Sequence, residues 1–253
     1  MRRERWVDSH CHVHGAPDAD AQVARAHAAG VEWIVCVGTD LGTSHHALDL
    51  AGRHPTVMAT VGLHPHDASK LAAEWPMIEA LAATEECAAI GEAGFDLYYE
   101  HSPRDEQEVA FRFQIRLARR LGKPLVVHTR DAWDDTLRVL ADEGPPAVTV
   151  FHCFTGGPAE ARRALGLGAY LSFSGIVSFK NAQPVREAAR LVPDDRLLVE
   201  TDAPYLTPEP LRGRPNEPAL VGVVGAALAA ARGVDPIAVA DATRENAARV
   251  FGR

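Results

Sequence analysis

The run DEQEVAFRFQIRLARRLGKPLVVH, Asp105 to His128, holds one complete architectural step. Val109, Phe113, Leu117 and Leu121 recur every fourth residue with arginines on other faces, the pattern of an amphipathic helix over 105–121. Gly122 stops that helix, and Pro124 opens a short apolar strand. The strand closes on His128, a metal-ligand type of side chain.

The same step recurs along the chain. Strands are predicted at about 5–9, 31–38, 56–62, 87–91, 124–128, 147–152, 169–173 and 197–201. Several, such as Val31-Glu-Trp-Ile-Val-Cys-Val37, are nearly continuous apolar runs, as expected of strands buried on both faces. Helical patterns lie between them, at about 18–29, 43–53, 74–85, 131–142, 158–166 and 183–190, with two more at 216–231 and 236–251. Eight strands alternating with helices predict a (β/α)8 TIM barrel, formed by residues 1–253 as a single domain. An open doubly wound sheet is the alternative. It would set the strand ends in a row and converge their side chains poorly.

The 253 residues suit one barrel, and 47% apolar with 24% charged residues is ordinary for a globular chain. The net charge of −8 argues against a broad basic surface for gripping duplex DNA, but not against a nucleotide substrate. Cys11, Cys36, Cys87 and Cys153 form no C-x-x-C pair and read as reduced core cysteines. The N-terminus has no apolar core of a signal peptide, and the longest apolar run, Ala219–Ala231, is too short for a bilayer. A cytoplasmic protein is expected, with no membrane association and no obligate protein partner.

Six side chains carry the chemistry. His10 and His12 lie two apart on one strand, so both imidazoles face one side. Asp8 shares that side and is expected to orient a ligand imidazole. Glu92 follows Cys87-Ala-Ala-Ile-Gly91, where a buried carboxylate needs a compensating charge. His128 follows Pro124-Leu-Val-Val127, and His152 follows Val148-Thr-Val-Phe151. Asp202 follows Leu197-Leu-Val-Glu-Thr201. Four imidazoles and two carboxylates suffice for two divalent cations, with Zn, Mn, Ni, Co and Fe suited and Mg less so. The expected division gives one ion to His10, His12 and Asp202 and the other to His128 and His152, with Glu92 shared. Asp202 is the expected base and Glu92 the second catalytic carboxylate. Glu200 reads either as a support for these ligands or as a buried partner of Arg196. His64 is assigned to substrate binding. His14, His27, His45, His46, His54, His66 and His101 read as surface residues.

The motifs Asp8-Ser-His-Cys-His12, Gly62-Leu-His-Pro65, Gly91-Glu-Ala-Gly94, Val127-His-Thr-Arg130 and His152-Cys-Phe-Thr-Gly156 follow one another in order. Phe173-Ser-Gly-Ile-Val177, Glu200-Thr-Asp-Ala-Pro-Tyr-Leu206 and Arg212-Gly-Arg-Pro-Asn-Glu-Pro218 complete the series. Together they resemble the TatD family of metal-dependent deoxyribonucleases over essentially the whole chain. The resemblance implies an amidohydrolase-type barrel that hydrolyses DNA phosphodiesters through metal-activated water. It also implies 3′–5′ exonuclease action on single-stranded ends. The family's metal positions match His10, His12, Glu92, His128, His152 and Asp202. The chain departs from the family at Pro215, which stands inside the Arg-Gly-x-x-Asn-Glu-Pro segment. An alternative is a related binuclear hydrolase acting on another ester or an amide. Such relatives often bridge their ions with a carboxylated lysine. No lysine ends the fourth strand here; Lys123 and Lys180 lie elsewhere. A metal-binding scaffold without turnover is the non-enzymatic alternative, and the complete ligand set argues against it.

Overall fold

The computed structural model describes residues 4–253. Eight strands form one sheet in the order β1 to β8, with parallel pairing in every register recorded. They are β1 Trp6–Cys11, β2 Val31–Val37, β3 Val57–Val61, β4 Cys87–Asp96, β5 Leu125–Arg130, β6 Thr149–Phe151, β7 Tyr170–Phe173 and β8 Leu197–Val199. The helices between and after them are α1 Ala19–Ala28, α2 Leu41–Arg53, α3 Leu71–Ala82, α4 Arg104–Leu121, α5 Trp133–Glu143, α6 Pro158–Gly166, α7 Gln183–Leu191, α8 Val221–Arg232 and α9 Pro236–Phe251. Sequential parallel strands with intervening helices are the (β/α)8 barrel class. Among the described residues no single helix is long and apolar enough to cross a membrane.

The chain divides into two compact units, one of residues up to Cys36 with His152–Arg253, the other Val37–Phe151. In the first, Trp6 at the start of β1 lies against α8. A Cβ on Gly225 would come within 2.2 Å of the Trp6 ring, so only glycine admits this approach. Trp33 on β2 meets Phe251 of α9 edge-on at 6.2 Å. Buried Asn246 of α9 donates to the carbonyls of Asp194 and Leu197, tying the last helix to the entry of β8.

In the second unit, α4 corrects the expected helix face. Val109 and Phe113 are 46% and 38% exposed. The buried side is Gln107, Ala110, Phe111, Gln114, Ile115, Leu117 and Ala118. Two glutamines explain the error, because their amides replace hydrophobic contact with backbone hydrogen bonds. Gln114 accepts from the Leu63 N–H at 2.8 Å and donates to its carbonyl at 2.9 Å. Gln107 accepts from the Asp96 N–H and donates to the Asp96 and Ser102 carbonyls. Phe113 instead packs edge-on against Trp75 of α3 at 5.2 Å. Helix α3 begins three residues before its expected start and carries Pro76 inside its length.

The outer side of α4 is joined to α5 by ion pairs. Arg112 donates to Glu108, Asp142 and Glu143 at 2.8–3.0 Å. Arg138 and Arg112 hold the Glu108 carboxyl down to about 2, and Arg116 and Arg112 do the same for Glu143. A depressed carboxyl stabilises the fold above its unfolded value and loses that contribution as pH falls. Arg112→Met should therefore lower the thermal midpoint by about 2–5 °C at pH 7. The deficit should shrink as the carboxylates protonate below pH 4.5, their ordinary value. Differential scanning fluorimetry from pH 7 to 3 measures it; a pH-independent difference would assign the loss to packing.

Candidate metal centre

Strand β1 carries Asp8 and His10 on one face, and His12 follows directly after its last residue. The Nε2 atoms of His10 and His12 stand 3.2 Å apart. Asp202 Oδ1 lies 3.9 Å from His10 Nε2 and 3.5 Å from His12 Nε2. Asp202 sits just beyond β8, and the backbone seats it: its N–H donates to the His10 carbonyl at 2.9 Å. The His12 N–H donates to Ala203 at 2.7 Å, and Cys11 bridges to Ala203. Asp202 has φ 54°, in the left-handed region that aspartate tolerates better than most residues.

Asp8 does not orient an imidazole. Its Oδ1 accepts from the backbone N–H of Thr201 at 2.9 Å and of His10 at 3.3 Å, and its Oδ2 accepts from the Thr201 hydroxyl. It locks the end of β8 to β1. Burial pushes its carboxyl up to about 8 against the lowering effect of these hydrogen bonds.

His152 stacks on His10 with ring centres 3.9 Å apart, and its Nδ1 lies 3.4 Å from Glu200 Oε1. Glu200 is fully buried and pairs with no arginine among the described residues, which corrects the Arg196 alternative. Arg196 pairs with Asp195 and covers the Tyr170 ring. Glu200 Oε1 accepts the Cys153 N–H at 2.7 Å, while its Oε2 is buried without a hydrogen-bond partner. His10, His152 and Glu200 thus form a donor set, as do His10, His12 and Asp202.

The second unit holds another set: His64, Glu92 and His128. Glu92 Oε1 lies 2.8 Å from His128 Nδ1 and 3.3 Å from His64 Nε2. Glu92, expected to follow its strand, and His128, expected to close its strand, both lie within them, because β4 runs on to Asp96 and β5 to Arg130. Gly94 makes their approach possible. Its φ is 144°, and a Cβ there would sit 2.0 Å from the His128 carbonyl oxygen. Burial pulls His64 down to about 4 against the Glu92 charge, leaving a neutral ring near pH 7. Its Nδ1 accepts the His66 N–H at 3.1 Å, so Nε2 carries the proton.

Asp96 is a member of this group that the sequence reading did not single out. Its Oδ2 lies 2.9 Å from His66 Nε2 and 3.4 Å from His128 Nε2. Its Oδ1 accepts the N–H groups of Tyr98 and Tyr99. Burial would raise its carboxyl, but hydrogen bonds from His128, Tyr99 and His66 hold it well below the usual range. His66, read as a surface residue, is half-buried against it. Continuing β4 through Gly94 would have found Asp96, since residues 92, 94 and 96 share one strand face.

In each set the donor atoms all lie within 4.8 Å of one another. Imidazole with carboxylate, together with the unmatched oxygen of Glu200, is the donor chemistry of a divalent cation site. Burial would raise the Asp202 carboxyl, yet a hydrogen bond from His12 and the fields of His10, His12 and His152 hold it low. It is ionised at neutral pH. Pro215 leaves the neighbouring loop anchored: buried Asn216 donates to the Thr201 carbonyl at 2.9 Å and to that of Tyr205. Lys123 is committed to the carbonyls of Ala82 and Thr84 at 2.7 Å each, away from these donors.

A (β/α)8 chain with buried histidine–carboxylate sets of this kind is a metal-dependent hydrolase. More narrowly, the chain belongs to the TatD related DNase family, whose model matches residues 7–252. It is 40% identical over 251 residues to the uncharacterized metal-dependent hydrolase YabD of Bacillus subtilis, covering 96% of this chain and 98% of that protein. It is 41% identical over 244 residues to the 3′-5′ ssDNA/RNA exonuclease TatD of Citrobacter rodentium, covering 93% and 92%. The crystal structure of YJJV, a TatD homologue from Escherichia coli, superposes with a TM-score of 0.90 at 28% identity over 98% of both chains.

Chelation should remove activity without unfolding the chain, because an apolar core underlies the donor sets. After EDTA treatment the far-UV circular dichroism at room temperature should match that of untreated protein. Its loss would make the metals structural.

Proposed function

We propose that this hydrolase cleaves phosphodiester bonds of DNA, removing nucleotides from the 3′ end of single strands. The observation that carries this reading is the presence of three cation-competent donor sets, one of which contains the ionised carboxylate of Asp202. His10, His12 and Asp202 would hold one ion, with His152 beside them; Glu92 and His128 would hold another. Bound ions supply Lewis-acid polarisation of the phosphate and a lowered pKa for water.

The chain's own groups do the rest. Asp202 accepts the proton of the attacking water, its orientation fixed by the His10 carbonyl and the Asp8–Thr201 link. His64 is neutral, with its Nε2–H 3.3 Å from Glu92 Oε1, and would turn that donor to a phosphate oxygen once Glu92 holds an ion. A ligand set with two imidazoles and a carboxylate keeps the site's net charge low enough to admit an anionic substrate. The name of the Citrobacter relative supports the nuclease reading and its polarity.

The preference for ends rests on charge. Lysine and arginine total 26 against 34 acidic residues, so the chain has few cations to neutralise a long duplex. With added divalent metal, a linear end-labelled single strand should be degraded from its 3′ end. A closed circular duplex should resist. Equal rates on both would overturn the exonuclease reading, and hydrolysis of neither would overturn the nuclease reading.

Asp202→Asn should keep the fold and much of the oligonucleotide affinity while losing turnover. The amide keeps the shape and one carbonyl oxygen but accepts no proton. General-base catalysis is typically worth about 10²–10⁴-fold, and single-turnover cleavage at saturating metal should fall by at least that much. Cleavage within a few-fold of wild type would remove Asp202 as the base.

A further inference from the structure

Beyond the end of β4 stands a group of rings with no role in the donor sets. Tyr98 and Tyr99 are 60% and 51% exposed. Their rings lie 4.9 Å apart at right angles. The Arg130 guanidinium covers both, 4.1 Å from the Tyr98 centre and 4.6 Å from that of Tyr99. His101 lies parallel to Tyr99 at 5.6 Å, and His66 meets both rings edge-on.

This group is built, not incidental. The N–H groups of Tyr98 and Tyr99 both donate to Asp96 Oδ1, at 3.0 and 2.9 Å, which fixes the turn that presents the rings. Asp96 pairs with Arg130 in the β4–β5 register, as Gly94 does with His128. Arg130 therefore follows His128 by two residues on the same strand face, roughly 7 Å further along. The same carboxylate that orders the tyrosines lies 3.4 Å from His128 Nε2. Among the described residues no carboxylate pairs with Arg130. The guanidinium lies over two aromatic faces, which do not neutralise its charge, so it can still take an anion.

A rigid pair of rings with an arginine across them matches what single-stranded nucleic acid offers, a flat base beside a phosphate. Every base has a π-face, so such a platform tolerates any sequence. A lipid or a protein partner would favour a broader apolar patch, and this one is flanked by histidine, arginine and aspartate.

We infer that Tyr98, Tyr99 and Arg130 form a base-stacking platform that seats the nucleotide next to the scissile phosphodiester. Arg130 holds its phosphate, and the tyrosines stack its base. This rests on the nuclease reading and deepens it, naming how a chain poor in basic surface grips a single strand.

The test uses a single-stranded oligonucleotide with 2-aminopurine at its 3′ end, and the same oligonucleotide with an abasic 3′ residue. Full-length wild-type protein in EDTA should bind the first with quenched 2-aminopurine fluorescence and bind the abasic strand more weakly. In Tyr98→Ala/Tyr99→Ala the preference for a base over the abasic residue should fall at least about tenfold. With metal restored, the loss should appear in KM more than in kcat. Tyr98→Phe/Tyr99→Phe should keep the quenching, because stacking needs the ring and not the hydroxyl. Should the double alanine variant fail to fold by circular dichroism, Tyr98→Ala and Arg130→Met are measured singly. If wild type degrades single strands but the variants keep its quenching and base preference, the platform is overturned and the nuclease reading stands. If wild type neither binds nor cleaves any strand, both fall together.

Discussion

Buried negative charge is the constraint on which this molecule depends. Glu92, Glu200 and Asp202 are each at least nine-tenths buried, and neither Glu200 nor Asp202 is matched by lysine or arginine among the described residues. Moving a carboxylate from water into a protein interior costs several kcal/mol unless opposite charge or hydrogen bonds restore its environment. Here imidazoles do part of that work. His12 and His10 face Asp202, His64 and His128 face Glu92, and His152 faces Glu200. Imidazoles are weaker and more diffuse partners than a lysine or arginine. Divalent cations would supply the missing charge, so the arrangement that is costly to the empty fold is one suited to hold metal.

Asp8 meets the same constraint differently. It is as buried as the others, but three hydrogen bonds from Thr201 and His10 satisfy it, and burial still raises its carboxyl. Its work is mechanical, joining the ends of β1 and β8 so that His10, His12 and Asp202 share one place.

Much of this was legible in the residues. The eight strands, their parallel order and the donor character of His10, His12, Glu92, His128, His152 and Asp202 follow from apolar runs closed by ligand-type side chains. Element ends were less legible. Gly91 read as the end of β4, whereas the strand runs on through Gly91 and Gly94 in close approach to β5, and Asp96 was lost with the residues beyond 91. The face of α4 was misread because Gln107 and Gln114 are polar by type and buried by circumstance. A single sequence shows the polarity of a side chain but not the backbone amide waiting for it. The exposed pair Tyr98 and Tyr99 carried no signal for the same reason, since their meaning comes from Arg130 on the next strand.

The turns that follow the ligand strands show what the site costs. Cys153, immediately after His152, has φ 44°; Asp202 has φ 54°; Asp131, after Arg130, has φ 54°. Left-handed backbone costs a residue with a Cβ roughly 1–2 kcal/mol, and such conformations persist only where their surroundings over-determine them. The surroundings here are specific. The Cys153 N–H is held by Glu200, and the Asp202 N–H by the His10 carbonyl. These turns lie at or within three residues of the ends of β5, β6 and β8. Glu200 therefore has two tasks: one oxygen holds the strained turn after His152, and the other is left for a cation. Strain, buried charge and donor geometry are parts of one arrangement, and relieving any of them by substitution disturbs the other two.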